Sequence, residues 1–392
     1  MRIALIATDD ASYDPDREPA RLGGRAVSLH QLDFALGQGC TKVLCLGHGA
    51  APEAIALRHA AERAGAQFQV LRGPRDIPAA VRGEDELLVF ARGLLPDSLK
   101  AYEILRKGPA ILSLPVQPGA GAGFELLDLT TAWGGAMAIP GRLADRLDML
   151  PEDAEPIAGL LRIARQAGIP ERGLPESELA EGRWGLLRNA GQAAAAEPGW
   201  LRRRLPLASP WRPSAWLARM VLRRFGAGTT ASRRAGPLAR GAGVLAIAGA
   251  VAAAWFGYPL AGFALLGLSL LTIELGDGIA QLTRPSFAGE APPSRLSRAL
   301  RLAFDAALVA VGTLALPGAL HRRAFLALLP VGLLHVRPPA APDSWRALFS
   351  DRLLVISALA LAVGFDAAEK GFMAVALVLV AVRIWPPAGK RG

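Results

Sequence analysis

Acidic residues are missing from one long stretch of this chain. Between Leu201 and Arg240 there are ten arginines (202, 203, 204, 212, 219, 223, 224, 233, 234 and 240) and no Asp or Glu. The formal net charge of the 392-residue chain is +10, so this segment carries all of it and the remainder nearly balances. Cysteine is almost absent: Cys40 and Cys45 are the only two. They exclude a disulfide framework and lack metal-binding spacing, and are expected to be reduced core thiols. The five histidines (30, 48, 59, 321 and 335) show no ligand spacing either. A secretory leader pattern is lacking: the apolar run at 3–7 stops at Asp9 and Asp10 with no cleavage-site pattern. The first half is therefore expected in the cytosol. No aromatic-studded strand or helix-turn-helix pattern accompanies the arginines, so nucleic acid is not an expected partner. No internal repeat or matching pair of broken spans is present, which argues against transport.

What the chain has is apolar surface. Hydrophobic residues make up 52% of it, high for a soluble protein. In residues 1–195, short apolar runs alternate with helical patterns. Strands are expected at 3–7, 42–46, 67–71, 87–90 and 110–114, and helices at 27–36, 51–64, 77–81, 97–105 and 149–168. That alternation predicts an α/β domain with a mostly parallel sheet. Residues 196–240 read as a basic, amphipathic, interfacial linker broken by Pro206, Pro210 and Pro213. Trp200, Trp211 and Trp216 beside the arginines suit the headgroup layer, so membrane lipid, and anionic lipid in particular, is the expected partner. Residues 241–386 predict an all-α polytopic membrane domain of about six helices, near 241–257, 260–276, 299–316, 323–336, 352–367 and 371–386, followed by a tail at 387–392. Some of these runs are shorter than the roughly 20 residues of a perpendicular span.

Orientation follows from Lys and Arg in the short loops. With the basic linker inside, Arg284, Arg295, Arg298 and Arg301 fall inside, as do Arg337, Arg346, Arg352, Lys390 and Arg391. Arg322 and Arg323 fall outside, against the rule. The expected placement is a multi-pass protein of the inner (cytoplasmic) membrane with a cytosolic N-terminal domain.

The second apolar run closes on Glu274-Leu275-Gly276-Asp277-Gly278. Carboxylates near a bilayer core are costly, about 2.5–3.5 kcal/mol on insertion scales, so they face a cavity, a partner or an ion. Asp305 lies one turn inside the next run, and Asp277, reached through a cation or water, is the partner expected for it. By layout and by this motif, residues 240–386 resemble the CDP-alcohol phosphotransferase family. Its motif reads Asp-x-x-Asp-Gly-x-x-Ala-Arg, then Gly-x-x-x-Asp-x-x-x-Asp. The resemblance places Glu274 and Asp277 on the first two acids, Gly278 on the glycine and Asp305 on the third acid. It implies that Glu274, Asp277 and Asp305 hold Mg²⁺ or Mn²⁺. Gly278, Arg284 and Arg298 would meet a CDP-activated alcohol. Metal clamping of phosphates is what such transfer requires. The chain departs from the motif at Gln281 and Leu282 (Ala-Arg in the family), at Arg301 (Gly) and at Val309 (the final Asp, the expected base).

The run from Leu22 through Gly23, Gly24 and Arg25 to Leu32 resembles part of the sugar-nucleotidyltransferase family, as do Gly93 to Asp97 and Trp133 to Met137. This implies nucleotide binding at Gly23, Gly24 and Arg25, with Asp97 at the family's metal-binding position. The first loop, Thr8 to Asp14, has no Gly-x-Gly-x-Arg. The order of the two domains also resembles bifunctional inositol-phosphate cytidylyltransferase/phospholipid-like synthases. Two readings stay open: a CDP-alcohol phosphotransferase, or a non-catalytic membrane scaffold or regulatory partner of an active paralogue. The family leaves a homodimer open as well.

Overall fold

The computed structural model describes residues 1–8, 20–149, 155–229, 235–285, 287, 294–336, 344–349 and 351–384. Asp9 to Asp14 of the first loop, Arg233, Arg234, Arg337 and the tail at 387–392 lie outside the described residues. The chain divides into two units. One is Met1–Arg203 with Arg284–Glu290, and the other is Arg204–Thr283 with Ala291–Gly392. The linker expected at 196–240 is thus shared between them.

In the first unit the strands are β1 (Arg2–Ala7), β2 (Arg21–Leu22), β3 (Arg25–Ala26), β4 (Lys42–Leu46), β5 (Gln67–Leu71), β6 (Glu86–Phe90), β7 (Leu94–Pro96), β8 (Ala110–Pro115), β9 (Thr131–Pro140), β10 (Glu171–Gly173) and β11 (Trp184–Leu186). The helices are α1 (Val27–Gly37), α2 (Pro52–Arg63), α3 (Asp76–Ala80), α4 (Leu99–Arg106), α5 (Val116–Gly121), α6 (Pro156–Gln166), α7 (Glu176–Ala180) and α8 (Ala190–Arg204). A 3₁₀ stretch covers Gly141–Met149.

Seven strands form one sheet in the order β10-β8-β9-β6-β1-β4-β5. Strands β1, β4, β5 and β6 run parallel, and β9 is antiparallel to both neighbours. After a charged first residue (Arg2, Lys42 and Glu86), the strands β1, β4 and β6 are apolar because helices cover both faces. Phe34, Leu57, Leu88 and Phe90 belong to the core on one face. Ile3, Leu87, Ile139 and Leu160 belong to the core on the other. Arg2 ties the start of β1 to two helix ends, donating to the Gln38 carbonyl (3.0 Å) and the Leu105 carbonyl (2.6 Å). Those carbonyls carry the negative end of each helix dipole.

The expected strands and helices recur with small shifts at their ends, except that the helix expected at 149–168 begins only at Pro156, with Met149 closing the 3₁₀ stretch before it. Six strands are absent from the sequence reading, β2, β3, β7, β9, β10 and β11, and β9 is the longest of them. Its Gly134-Gly135 pair hides a strand signal because glycine breaks a β pattern. In the structure the pair makes a bulge: Ile111 pairs with Met137 but Ser113 pairs with Trp133, and Gly135 sits at φ +77°.

The second unit is helical: α9 (Pro213–Thr229), α10 (Ala235–Trp255), α11 (Pro259–Leu282), α12 (Arg295–Ala315), α13 (Leu320–His335), α14 (Ser344–Phe349), α15 (Arg352–Gly364) and α16 (Ala368–Ile384). The six apolar runs read from the sequence fall on α10–α13, α15 and α16. Among the described residues, two helices, α10 and α11, are long and apolar enough to cross a membrane. Both are only partly buried within the chain. Leu245, Trp255, Phe256, Phe325 and Leu377 are all well exposed. Apolar helix faces turned outward point to association with a membrane.

Candidate functional site

Three carboxylates of the second unit, Glu274, Asp277 and Asp305, sit between helices, and an arginine faces each of them. Glu274 and Asp277 lie one turn apart on α11, on the face toward α10 and α12. Arg240 of α10 reaches Asp277 Oδ1 at 3.1 Å. Arg301 of α12 reaches Glu274 at 3.1 Å and Asp277 Oδ2 at 3.4 Å. The Ser297 hydroxyl, one turn before Arg301, donates to Asp277 Oδ1 at 2.9 Å. Asp305 is one turn after Arg301 and is buried. Arg352, at the start of α15, grips it with two bonds of 2.8 Å, the fork geometry suited to a carboxylate. His335 Nε2 stands 3.3 Å from Asp305 Oδ2, an oxygen it shares with Arg352, while its Nδ1 lies 3.0 Å from the Val331 carbonyl. The partner expected for Asp305 was Asp277; the structure supplies Arg352 and His335 instead.

Glu274 and Asp277 are therefore brought together, and Asp305 has its own partners. Among the described residues, no group of three or more His, Cys, Asp or Glu side chains could hold a metal ion. The donor set does not fit Mg²⁺ or Mn²⁺. Three carboxylates meet three guanidinium groups, so the local charge is already cancelled. A divalent ion would need several oxygens at about 2.1 Å and would add its charge to three arginines.

Gly278 has a packing reason. A Cβ there would collide with the Leu222 side chain of α9, so the glycine lets α9 approach α11. Arg298 is exposed on the first turn of α12. Arg284 belongs to the first unit, in a segment whose Phe287 stacks on Tyr102 with ring centres 4.8 Å apart.

In the first unit, Gly23 and Gly24 form the two-residue turn of the β2–β3 hairpin, at φ +58° and +70°. Such a turn requires positive φ at both positions, which explains the glycines. The Gly23 N–H donates to Glu197 Oε1 of α8 at 3.0 Å, and a Cβ on Gly23 would lie 2.6 Å from the Trp200 ring. Arg25 is paired with Asp33 at 2.7 Å. Two of the groups expected to meet phosphate thus meet carboxylates of this chain.

Asp97 is buried just before α4, whose N-cap Ser98 accepts from the Ala101 N–H at 3.1 Å. It lines a crevice of about 400 Å³ with Lys100, Glu103, Glu178 and Arg183. Burial pushes the Glu178 carboxyl up, but hydrogen bonds from Arg183 and Ser98 and the Arg183 charge outweigh it and hold the group below its usual range. Burial pushes the Cys40 thiol up to about 12 and Cys45 up to about 11, which makes both inert structural thiols at neutral pH.

The residues that sequence reasoning missed are Arg240, Ser297, Arg352 and His335 around the acids, and Asp33 and Glu197 around the hairpin. One signal was available: Ser297, Arg301 and Asp305 are spaced by four on α12, which sets them on one face. A scan of protein-family models finds no match to this chain, and a search of curated proteins finds none.

Proposed function

We propose that this chain is a multi-pass membrane protein of CDP-alcohol phosphotransferase lineage, with a sugar-nucleotidyltransferase-like domain on its cytosolic side. Its role is that of a non-catalytic scaffold or regulatory partner in phospholipid metabolism. The observation that carries this reading is the arginine facing each carboxylate of the motif. A transferase needs those oxygens free for metal, and here Arg240, Arg301 and Arg352 hold them. Val309 where the expected base belongs agrees with it, as do Glu197 and Asp33 on the donors of the hairpin.

The test is turnover by the purified chain in liposomes with labelled CDP-alcohols and millimolar Mg²⁺ or Mn²⁺. The expected result is no metal-dependent transfer and no metal-induced rise in melting temperature. Robust metal-dependent transfer that disappears in Asp277→Ala would establish the catalytic reading instead. One observation favours that second reading: Glu274 and Asp277 share a face at one-turn spacing, and the arginine between them, Arg301, is partly exposed.

A further inference from the structure

At the other end of the helical unit, three helix connections enclose an open crevice of about 1320 Å³. Its walls come from the turns α10–α11, α12–α13 and α15–α16. It lies near Pro259, some 18 residues along α11 from Asp277, or about 27 Å at the helical rise. It is therefore separate from the carboxylate–arginine cluster. Leu260, Leu316, Val363 and Met373 make its interior apolar, while Asp366 and Lys370 put one charge of each sign on its rim. Glu369 also lines it but is spent on Arg322. Asp366 and Lys370 make no side-chain hydrogen bond or ion pair among the described residues.

Asp366 occupies a position that does not call for a carboxylate. Helix α15 ends in a paired-bond stop: the Asp366 N–H donates to the Val363 carbonyl (3.2 Å) and the Ala367 N–H to the Ala362 carbonyl (2.8 Å). Such a stop needs a left-handed residue at this position, most often glycine. Asp366 stands there at φ +52°, the one non-glycine residue with positive φ among those described. A glycine would serve the backbone at least as well, so the turn itself does not require the carboxylate. The N-termini of α11 and α16 also open onto the crevice through Leu260, Ala261, Glu369 and Lys370, adding positive dipole ends beside Lys370.

We propose that this crevice holds one phospholipid bearing a primary-ammonium headgroup. The phosphate lies against Lys370 and the two helix N-termini, the ammonium donates to Asp366, and an acyl chain follows the apolar wall. The charge pattern selects this class: an anionic headgroup without an amine would face Asp366 unpaired, and a quaternary amine has no N–H to give it. The inference rests on the membrane reading above.

The experiment is native mass spectrometry of the full chain, purified in detergent and exposed to equal amounts of phosphatidylethanolamine, phosphatidylglycerol and phosphatidylcholine. One phosphatidylethanolamine should be retained in preference to the other two. Asp366→Gly should keep or raise the melting temperature, because the turn prefers glycine, yet lose the headgroup preference by about tenfold, the size of a hydrogen bond to a charged group. Lys370→Glu should weaken retention of all phospholipids. Equal retention of the three lipids, or unchanged selectivity in Asp366→Gly, overturns the site while leaving the membrane reading intact. Recovery of the chain in the soluble fraction of cells overturns both.

Discussion

At the scale of the residue, the decisive groups are buried charges and what neutralises them. Asp305 in an apolar helix announces that it needs a polar partner, and this much is legible from the sequence. The identity of the partner is not, because Arg352 is 47 positions away and reads as one more positive-inside arginine. A buried pair is costly to break from one side, since it strands a charge in a low-dielectric interior, at about 3–5 kcal/mol. Replacing both members with apolar groups of similar volume removes that penalty. Arg352→Met should therefore destabilise the helical unit by about 3 kcal/mol, while Asp305→Leu with Arg352→Met should fall within about 1 kcal/mol of the parent. Thermal unfolding in detergent reads both. If the double variant is as damaged as the single one, a stranded Asp305 charge is not what destabilises Arg352→Met.

At the scale of the element, small residues decide which helices touch. Helices α10 and α11 pack along a seam of glycines. A Cβ on Gly243 would sit 2.9 Å from Ile273 Cγ1, and one on Gly262 would sit 2.9 Å from the Ala250 carbonyl oxygen. Close backbone approach of this kind supplies the dispersion contacts that hold helices together where lipid removes the hydrophobic drive. The Ala250 oxygen belongs to backbone and cannot swing aside. Gly262→Ala should lower stability by about 1–3 kcal/mol through overpacking. Gly249→Ala, whose new methyl would meet only Leu265 Cδ1 at 3.5 Å, should be neutral or mildly stabilising through helix propensity. Equal melting temperatures for the two variants would refute the seam. Sequence showed two apolar runs here and gave no ranking among their glycines. It likewise hid β9, because a strand carrying Gly134-Gly135 lacks the β-branched run that marks a strand.

At the scale of the whole molecule, charge asymmetry sets the expected orientation. The arginine-rich end of the helical unit should face the cytosol and the crevice end should face away. The buried, high-pKa thiols of Cys40 and Cys45 give a silent background for cysteine mapping. Thr283→Cys, after α11, should react with a membrane-impermeant maleimide only once cells are permeabilised. Leu320→Cys, at the start of α13, should react in intact cells. Labelling of both from one side would mean that α12 does not cross, and the six-span arrangement would fall.

The sequence by itself determined the local structure and the division of the chain. Period-two and helical apolar patterns act over a few residues, so the α/β order, the helical C-terminal half and the basic stretch between them were written in neighbouring positions. Tertiary structure alone decided what the charged groups do. Arg240, Arg301 and Arg352 reach their carboxylates from 37, 24 and 47 positions away, across contacts of about 3 Å that exist only once helices pack. Electrostatic pairing in a dry interior depends on that distance, not on separation along the chain. An acidic motif that reads as a metal site in one dimension thus becomes, in three, a set of carboxylates already answered by arginine.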